Sequence, residues 1–222
     1  KHLMPQILKV DHLNSDSWES IITKTQSILK DGGVIAFPTD TFYGLGVDPY
    51  NKTAVDKIYN IKNREQEKPL LLLIDSIAKL ENLVEKPSAV CAKLIDSFWP
   101  GPLTLLFKPK SLINKNITSG LIAIRQPGNS ITRMLLAALD HPLTAPSANL
   151  SGTSPATTAH QVKDKLGNQV DLILDAGTLP GGKPSTLIDA TEIPIQLIRE
   201  GAISFKKIQE SLNGILQTQE SL

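Results

Sequence analysis

The sequence predicts an α/β fold in a single domain, with helices packed on a twisted, mixed β-sheet. Short apolar runs bounded by glycine and proline alternate with segments whose apolar residues recur at helical spacing. Several strands in the second half follow one another without a helix between them, which favours a mixed sheet over a fully parallel one. The 222 residues suffice for one sizeable core, and 41% hydrophobic with 20% charged residues is ordinary for a globular domain.

The first helix is predicted between Ser15 and Lys30, where apolar residues recur at helical spacing and Gly32-Gly33 can stop the helix. The run VIAF that follows is short and apolar, which suits a buried strand. Similar patterns predict further helices over residues 52–62, 76–84, 88–98, 129–139, 157–167 and from 204 to about 216. They predict further strands over residues 70–74, 103–108, 121–125, 142–145, 170–175, 185–190 and 195–200.

Composition excludes several classes of function. The 23 basic and 22 acidic residues give a net charge of +1, so the total charge does not indicate binding to nucleic acid or membrane. The single cysteine, Cys91, excludes an internal disulfide framework and is predicted to be a core residue. The four histidines lack the spacing of metal ligands, and no metal site is predicted. No apolar run approaches the roughly 20 residues that span a bilayer, and the start lacks a secretory signal, so we expect a cytoplasmic protein.

Polar loops lie at the ends of most predicted strands: PTDTFYGLG, KNREQEKP, RQPGN, PSANLSGTSP and LPGGKPST. In α/β folds, ligands bind at such strand ends, where backbone N–H groups are exposed. The cations of these loops and of a later strand are Lys62, Arg64, Lys68, Arg125, Lys183 and Arg199. Few carboxylates accompany them. Cations, hydroxyls and glycines together are the groups that bind a polyphosphate.

Each loop alone also has an ordinary structural interpretation. Charge runs such as KNREQEKP commonly lie on a solvated surface, and the residues of PSANLSG commonly form turns. The stretch GTLPGGKP nearly matches a P-loop, but Pro184 follows Lys183 where serine or threonine is required, and a strand follows instead of a helix. Phe42 and Tyr43 are predicted to be core or pocket-wall residues.

The sequence lacks a recognisable arrangement for covalent catalysis. It contains neither G-x-S-x-G nor H-E-x-x-H, and its histidines lie near no serine or cysteine in a known pattern. His160 is predicted to lie on a helix surface. Phosphoryl and nucleotidyl transfers need little covalent machinery, because they depend on positioning and electrostatic stabilisation of oxygens. Nucleotide chemistry therefore fits the cation-rich loops.

From about Gly32 to Ser204 the chain resembles the YrdC-like threonylcarbamoyl-AMP synthases. The resemblance rests on GGVIAFPTDTFYGLG, KNREQEKP, FWPGPLTLLF, IAIRQPGN, APSANLSG, and PSTLIDA followed by IREGAIS. It implies a YrdC-like fold with a concave basic groove. It also implies the condensation of L-threonine, bicarbonate and ATP to threonylcarbamoyl-AMP and pyrophosphate, for threonylcarbamoyladenosine modification of tRNA. ATP is then a substrate, and Mg²⁺ is expected to arrive bound to it.

The resemblance also implies domain limits and partners. We expect a catalytic domain over residues 14–204 and a C-terminal helix or tail over residues 205–222, in a short form without the extra C-terminal domain of longer members. Besides the three substrates, the expected partners are tRNA or double-stranded RNA and the proteins that transfer the threonylcarbamoyl group.

Residue roles follow from the same motifs. The resemblance assigns threonine binding to Thr41, Arg125 and Ser185. It assigns ATP binding to Arg64, Lys68, Ser147, Asn149, Ser151 and Arg199. The expected catalytic cations are Lys62, Arg64 and Lys68. One departure is Leu73, because some members carry a histidine there, near the amine of threonine.

Three alternatives remain open at this point. A paralogue with the same fold could adenylate a different carbamoyl substrate. A non-catalytic module could hold double-stranded RNA through its phosphates, with binding that weakens steeply as salt rises. An unrelated α/β protein could bind another nucleotide with these loops.

Overall fold

The computed structural model describes residues 4–10, 15–63, 69–110, 117 and 120–213. Its helices are α1 (Ser15–Lys30), α2 (Lys52–Lys62), α3 (Ile77–Leu83), α4 (Ala89–Phe98), α5 (Ser130–Ala138), α6 (Ala159–Leu166) and α7 (Phe205–Ser211), with a 3-10 turn over Gly167–Gln169. Its strands are β1 (Gln6–Lys9), β2 (Ile35–Phe37), β3 (Gly44–Gly46), β4 (Leu71–Leu73), β5 (Leu103–Phe107), β6 (Ile122–Arg125), β7 (Leu143–Thr144), β8 (Leu172–Asp175), β9 (Thr186–Asp189) and β10 (Gln196–Arg199).

The α/β class with mixed sheets is confirmed, although the strands form two sheets where one was predicted. A four-stranded sheet has the order β1-β8-β2-β3, and a six-stranded sheet has the order β10-β9-β5-β6-β4-β7. Both contain parallel and antiparallel pairs. The sheets adjoin at β3 and β7, where Leu45 N donates to Pro146 O (2.8 Å) and Thr144 N donates to Val47 O (3.3 Å).

Two strands, β1 and β3, were not predicted. β1 is short and largely exposed, so it lacks the apolar alternation by which strands are recognised. β3 has the sequence GLG, which is typical of a turn, yet it pairs antiparallel with β2. The close approach of the two sheets requires glycine here, since a Cβ atom on Gly46 would lie 2.9 Å from the Leu143 side chain.

Helices cover the sheets from two sides and enclose two cores. The larger core includes residues of α2, α4, α6 and α7, and the smaller one includes residues of α1 and α5. Alternation along β2 explains the division, because Ala36 faces the larger core whereas Ile35 and Phe37 face the smaller one. In β6, Ile122 and Ile124 likewise face the larger core. The alternating residues of this strand, Ala123 and Arg125, therefore lie on the opposite face of the sheet.

Both ends of the described chain pack on these cores. β1 pairs in parallel with β8, and Ile208 of α7 and Leu212 after it are buried in the larger core. The predicted domain limits, residues 14–204, stay a prediction. Among the helices that the structure describes, none is long and apolar enough to cross a membrane.

Candidate active site

A cavity of about 490 Å³ opens on the face of the six-stranded sheet opposite α4. Its residues come from the strands of that sheet, from the β2–β3 loop, from the end of α2 and from the loop after β7. They are Thr39, Thr41, Phe42, Tyr43, Gly44, Lys62, Pro69, Leu71, Thr104, Leu106, Ala123, Arg125, Ala145, Pro146, Ser147, Asn149, Ser151, Gly152, Pro184, Ser185, Leu187, Ile198 and Arg199.

The floor of the cavity is an apolar row across neighbouring strands. Ala123 of β6 pairs with Leu106 of β5 on one side and with Leu71 of β4 on the other. Ala145, on the far side of β4, continues the row, since its N–H donates to Leu71 O at 2.8 Å. Ala123 lies between two leucines and Ala145 lies beyond Leu71, and these two small side chains leave open space above the sheet.

Arg125 lies two residues after Ala123 on the same face of β6, and only 3% of it is exposed. Its Nη1 donates to Asp40 Oδ2 at 3.2 Å. Among the described residues its buried Nε has no hydrogen-bond partner. Burial lowers the pKa of the Arg125 guanidinium, Asp40 opposes this shift, and Arg199 adds to it, although the group stays protonated. The site therefore holds a buried cation that a ligand carboxylate would satisfy.

Several hydroxyl groups line the same cavity as this guanidinium. Thr104 Oγ1 and Ser185 Oγ are 2.8 Å apart and both residues are buried. Arg199 Nη2 donates to Ser185 O at 2.9 Å and lies 3.4 Å from Ser185 Oγ. Thr41 approaches from the β2–β3 loop, and within the described part of the chain its hydroxyl has no hydrogen-bond partner.

The segments PST and REG meet through a close backbone contact. A Cβ atom on Gly201 would lie 2.1 Å from Pro184 O, so only glycine fits there. Ala202 N donates to Pro184 O (2.8 Å), and Gly201 N donates to Thr186 Oγ1 (3.0 Å). This contact fixes Arg199 beside Ser185.

The loop after β7 carries the segment SAN and is bonded to the end of α2. Lys62 is 3% exposed, and its Nζ donates to Ser147 O (2.6 Å), Asn149 O (3.0 Å) and Asn149 Oδ1 (2.9 Å). Asn63, in the left-handed conformation at φ 48°, ends α2 directly after Lys62. The end of α2 thereby positions the Lys62 ammonium group against the loop after β7.

The structure brings together all the predicted site residues that it describes. The cavity described above is lined by Thr41, Lys62, Arg125, Ser147, Asn149, Ser151, Ser185 and Arg199. Arg64 and Lys68 lie outside the described residues. Of the described residues that line the cavity, three are cations and none is acidic. Such an arrangement favours anionic ligands.

A protein-family model described as telomere recombination, covering Sua5, YciO and YrdC, matches residues 27–201. The chain belongs to this Sua5/YciO/YrdC family. It is 36% identical over 189 residues to the threonylcarbamoyl-AMP synthase of Pyrococcus abyssi, covering 84% of this chain and 56% of that protein. It is 36% identical over 179 residues to the threonylcarbamoyl-AMP synthase of Idiomarina loihiensis, covering 79% of this chain and 94% of that protein.

Solved structures of the Sua5/YciO/YrdC family share this fold. The crystal structure of Pyrococcus abyssi Sua5 complexed with L-threonine matches with a TM-score of 0.86 and 33% sequence identity, covering 93% of this chain and 60% of that one. This chain therefore spans little more than half the length of its Pyrococcus relative. The family resemblance expected from the motifs is confirmed.

Leu73, where some family members carry histidine, is the neighbour of Arg125 in the sheet. It pairs with Arg125 across β4 and β6, but it is fully buried in the smaller core and is not among the cavity residues. Three further residues were missed by the sequence analysis as parts of the site, namely Thr39, Asp40 and Thr104. Asp40 stands in the quoted PTDT segment, but its partner Arg125 is 85 residues away, so spacing alone gives no sign of the pair.

His160 and Cys91 are not among the residues that line the cavity. His160 is exposed on α6, as predicted, with Nε2 3.2 Å from Asp164 Oδ2. Cys91 is buried in the larger core, also as predicted. In the described part of the chain, no group of three histidine, cysteine, aspartate or glutamate residues could hold a metal ion.

Cys91 should react slowly with alkylating agents while the protein is folded. Burial, with a smaller contribution from Asp189, raises the pKa of its thiol to about 12, so almost no thiolate is present at pH 8. We expect iodoacetamide to modify the native protein at least about 100-fold more slowly than the protein unfolded in guanidinium, because the thiolate is the reactive species. Equal rates, measured by mass spectrometry, would contradict the buried position.

Proposed function

We propose that this chain is an L-threonylcarbamoyladenylate synthase, which condenses L-threonine, bicarbonate and ATP and releases pyrophosphate. The observation that carries this proposal is the convergence of Arg125, Arg199 and Lys62 with several hydroxyl groups around one cavity, whose lining includes no carboxylate among the described residues. Support also comes from the relatives named threonylcarbamoyl-AMP synthase and from the L-threonine complex of the Sua5 neighbour.

L-threonine is proposed to bind at the Arg125 end of the cavity. Its carboxylate would accept hydrogen bonds from the Arg125 guanidinium, whose buried Nε is otherwise unsatisfied among the described residues. Thr41 and Ser185 would bind its polar groups, with Thr104 holding the Ser185 hydroxyl in place. The apolar floor next to Arg125 would accommodate the methyl group and limit the access of water to a labile carbamate.

The proposed reaction has two steps. The amine nitrogen of threonine first forms a bond to the carbon of bicarbonate, and a carbamate results with loss of water. A carbamate oxygen then attacks the α-phosphorus of ATP in line, and the bond between this phosphorus and the bridging oxygen breaks as pyrophosphate leaves. The protein accelerates the second step by holding the two reactants close together and by stabilising charge on the phosphate oxygens.

ATP is proposed to bind toward the loop after β7. Ser147, Asn149 and Ser151 belong to that loop, and Lys62 is bonded to it. Arg199, which lies beside Ser185, is proposed to contact the nucleotide as well. Arg64 and Lys68 are proposed to offset the charge on the leaving pyrophosphate, each contact contributing about 3 kcal/mol in a partly dry site.

Magnesium is proposed to enter with the triphosphate. Among the described residues, the polar groups that line the cavity are cations, hydroxyls and amides, which do not suit a dedicated magnesium site built from protein carboxylates. Bound Mg²⁺ would neutralise phosphate charge. The protein residues would orient the oxygens around it.

The product is a reactive mixed anhydride that must be consumed by a transfer reaction. We place the protein in the cytoplasm, with tRNA modified downstream by separate transfer proteins. The proposed catalytic domain spans residues 14–204. As a secondary property, we propose that the same groove can contact tRNA or double-stranded RNA directly.

Pyrophosphate release should require all three substrates. We expect release from the complete mixture and background rates when L-threonine, bicarbonate or ATP is omitted in turn. L-serine in place of threonine should react more slowly by about tenfold, since one methyl group in an apolar pocket contributes that order of discrimination. The measurement is a coupled pyrophosphate assay.

The same assay separates the rival functions. Release that depends on carbamoyl phosphate and not on threonine would indicate the paralogue with another carbamoyl substrate. Absence of release, combined with RNA binding that weakens with salt and ignores ATP, would indicate the RNA-binding module. Either result would overturn the proposed activity.

A further inference from the structure

Lys62 and Asn149 line the cavity, yet their polar groups are bonded to the protein itself. Both are almost fully buried, at 3% and 6% exposure. Both belong to motifs that the family resemblance assigns to the ATP site. The hydrogen bonds around them, within the described part of the chain, indicate which donors of this region a phosphate could use.

The Lys62 ammonium has three N–H donors, and three loop oxygens surround it. Ser147 O, Asn149 O and Asn149 Oδ1 lie 2.6, 3.0 and 2.9 Å from Nζ. The backbone of Lys62 also holds the loop, because Ser151 N donates to Lys62 O at 3.0 Å. A phosphate oxygen could bind this ammonium only by displacing one of the loop oxygens.

The Asn149 side chain is satisfied in the same way. Its Oδ1 accepts from Lys62 Nζ and from Ser147 Oγ (2.6 Å). Its Nδ2 donates to Leu150 O (3.0 Å) and to Thr153 O (2.6 Å). All four hydrogen-bonding positions of the amide are used by Lys62 and by the loop itself, so no donor remains for a phosphate oxygen.

Other groups of the loop remain available. Ser151 and Gly152 both line the cavity and both are exposed. Among the described residues, neither the Ser151 hydroxyl nor the Gly152 N–H has a hydrogen-bond partner. Gly152 has a φ of +82°, a conformation that glycine adopts easily.

We propose that Lys62 and Asn149 are positioning residues that fold the loop over residues 147–153, and that the Ser151 hydroxyl and the Gly152 N–H are the groups of this loop that bind phosphate. Lys62 then acts on the nucleotide through the loop, as a buried cation that neutralises three oxygens turned toward it. This inference rests on the proposed function, because it takes ATP as the ligand.

Hydrogen–deuterium exchange of the nucleotide-free protein tests the positioning role by a measurement that does not depend on enzymatic activity. We expect Lys62→Met and Asn149→Ala to accelerate exchange at the amides of Ser151 and Thr153 by about tenfold or more, because each removes several loop hydrogen bonds. Calorimetry should show weaker ATP binding by both variants. The ATP affinity of the double variant should equal that of the single variant with the lower affinity, since both changes open the same loop.

Two variants serve as controls. Ser151→Ala should leave the exchange rates unchanged and weaken ATP binding, as expected of a direct ligand. Lys57→Met removes a lysine of the same helix whose Nζ donates to Gly32 O, away from the cavity, and should change neither measurement. If Lys62→Met does not fold, Asn149→Ala decides the question by the same criteria.

Wild-type exchange rates in both Lys62→Met and Asn149→Ala, together with lost ATP binding, would overturn the proposal and make the two residues direct ligands. Losses of ATP-binding free energy that add up in the double variant would likewise indicate that both residues are direct ligands. The proposed function fails separately, if the wild-type protein releases no pyrophosphate with threonine, bicarbonate and ATP. Faster loop exchange in the variants would still support the positioning role in that case.

Discussion

Replacing Arg125 with methionine is expected to raise the Kd for L-threonine about 100-fold or more, because truncating one partner of a buried charge pair costs about 2–5 kcal/mol. The Kd for ATP should change by less than about threefold, since the proposed phosphate ligands come from other loops. Isothermal titration calorimetry with each ligand alone measures both values. A selective loss of threonine binding would identify Arg125 as the carboxylate ligand.

The physical reason is the poor compensation of this charge in the ligand-free protein. The Arg125 side chain is 4% exposed, and Asp40 is its partner at 3.2 Å. Asp40 Oδ1 also accepts from Asn129 N, so this carboxylate serves a second donor. Arg199 adds a like charge nearby. An incoming carboxylate would therefore meet a nearly dry cation whose Nε has no partner among the described residues, and the low polarity of the surroundings strengthens their attraction.

Arg133→Met is the matched control for this substitution. Arg133 on α5 also has a buried Nε without a partner among the described residues, but it does not line the cavity. Its replacement should leave the Kd for threonine unchanged. If Arg125→Met kept the wild-type Kd while remaining folded by circular dichroism, the carboxylate would have to bind elsewhere and the proposed orientation of threonine would be wrong.

Much of the fold followed from local patterns in the sequence. The predicted helix over residues 52–62 matches α2 residue for residue, because its apolar spacing and the capping side chain of Asn51 are both local features. The strands of VIAF, LLLLI and LIAIR were recognised as short apolar runs. The division into two sheets was not predicted, because it depends on how Gly46 packs against Leu143, nearly 100 positions away.

The site was also predicted only in part, because its motifs are local but the contacts between them are long-range. Motif positions identified Arg125 and Ser185, and both line the cavity. Their supporting partners, Asp40 and Thr104, are distant in sequence, and each is a common residue type with many ordinary roles. The bonding state of Lys62 was also hidden, because a lysine in a charged segment gives no sign that loop carbonyls surround its ammonium group.

Ala123→Leu is expected to abolish threonine binding, with a loss of about 100-fold or more, while the protein remains folded. Ala123 lies between Leu71 and Leu106 in the floor of the cavity, two residues before Arg125. A leucine side chain would project into the space that we assign to the substrate. Bulky additions to a packed interior cost about 1–3 kcal/mol, but here open space receives the side chain, so the melting temperature should fall by no more than a few degrees.

A graded series makes this prediction specific to volume. Ala123→Gly should bind threonine nearly as well as the wild-type protein, Ala123→Val should bind more weakly, and Ala123→Leu should show the largest loss. Ala92→Leu, on the exposed side of α4, controls for added apolar surface and should have no effect. Equal binding across the series would contradict a substrate site above the β4–β5–β6 floor. A loss in the glycine variant as large as that in the leucine variant would point to strand distortion instead, because glycine removes volume and adds none.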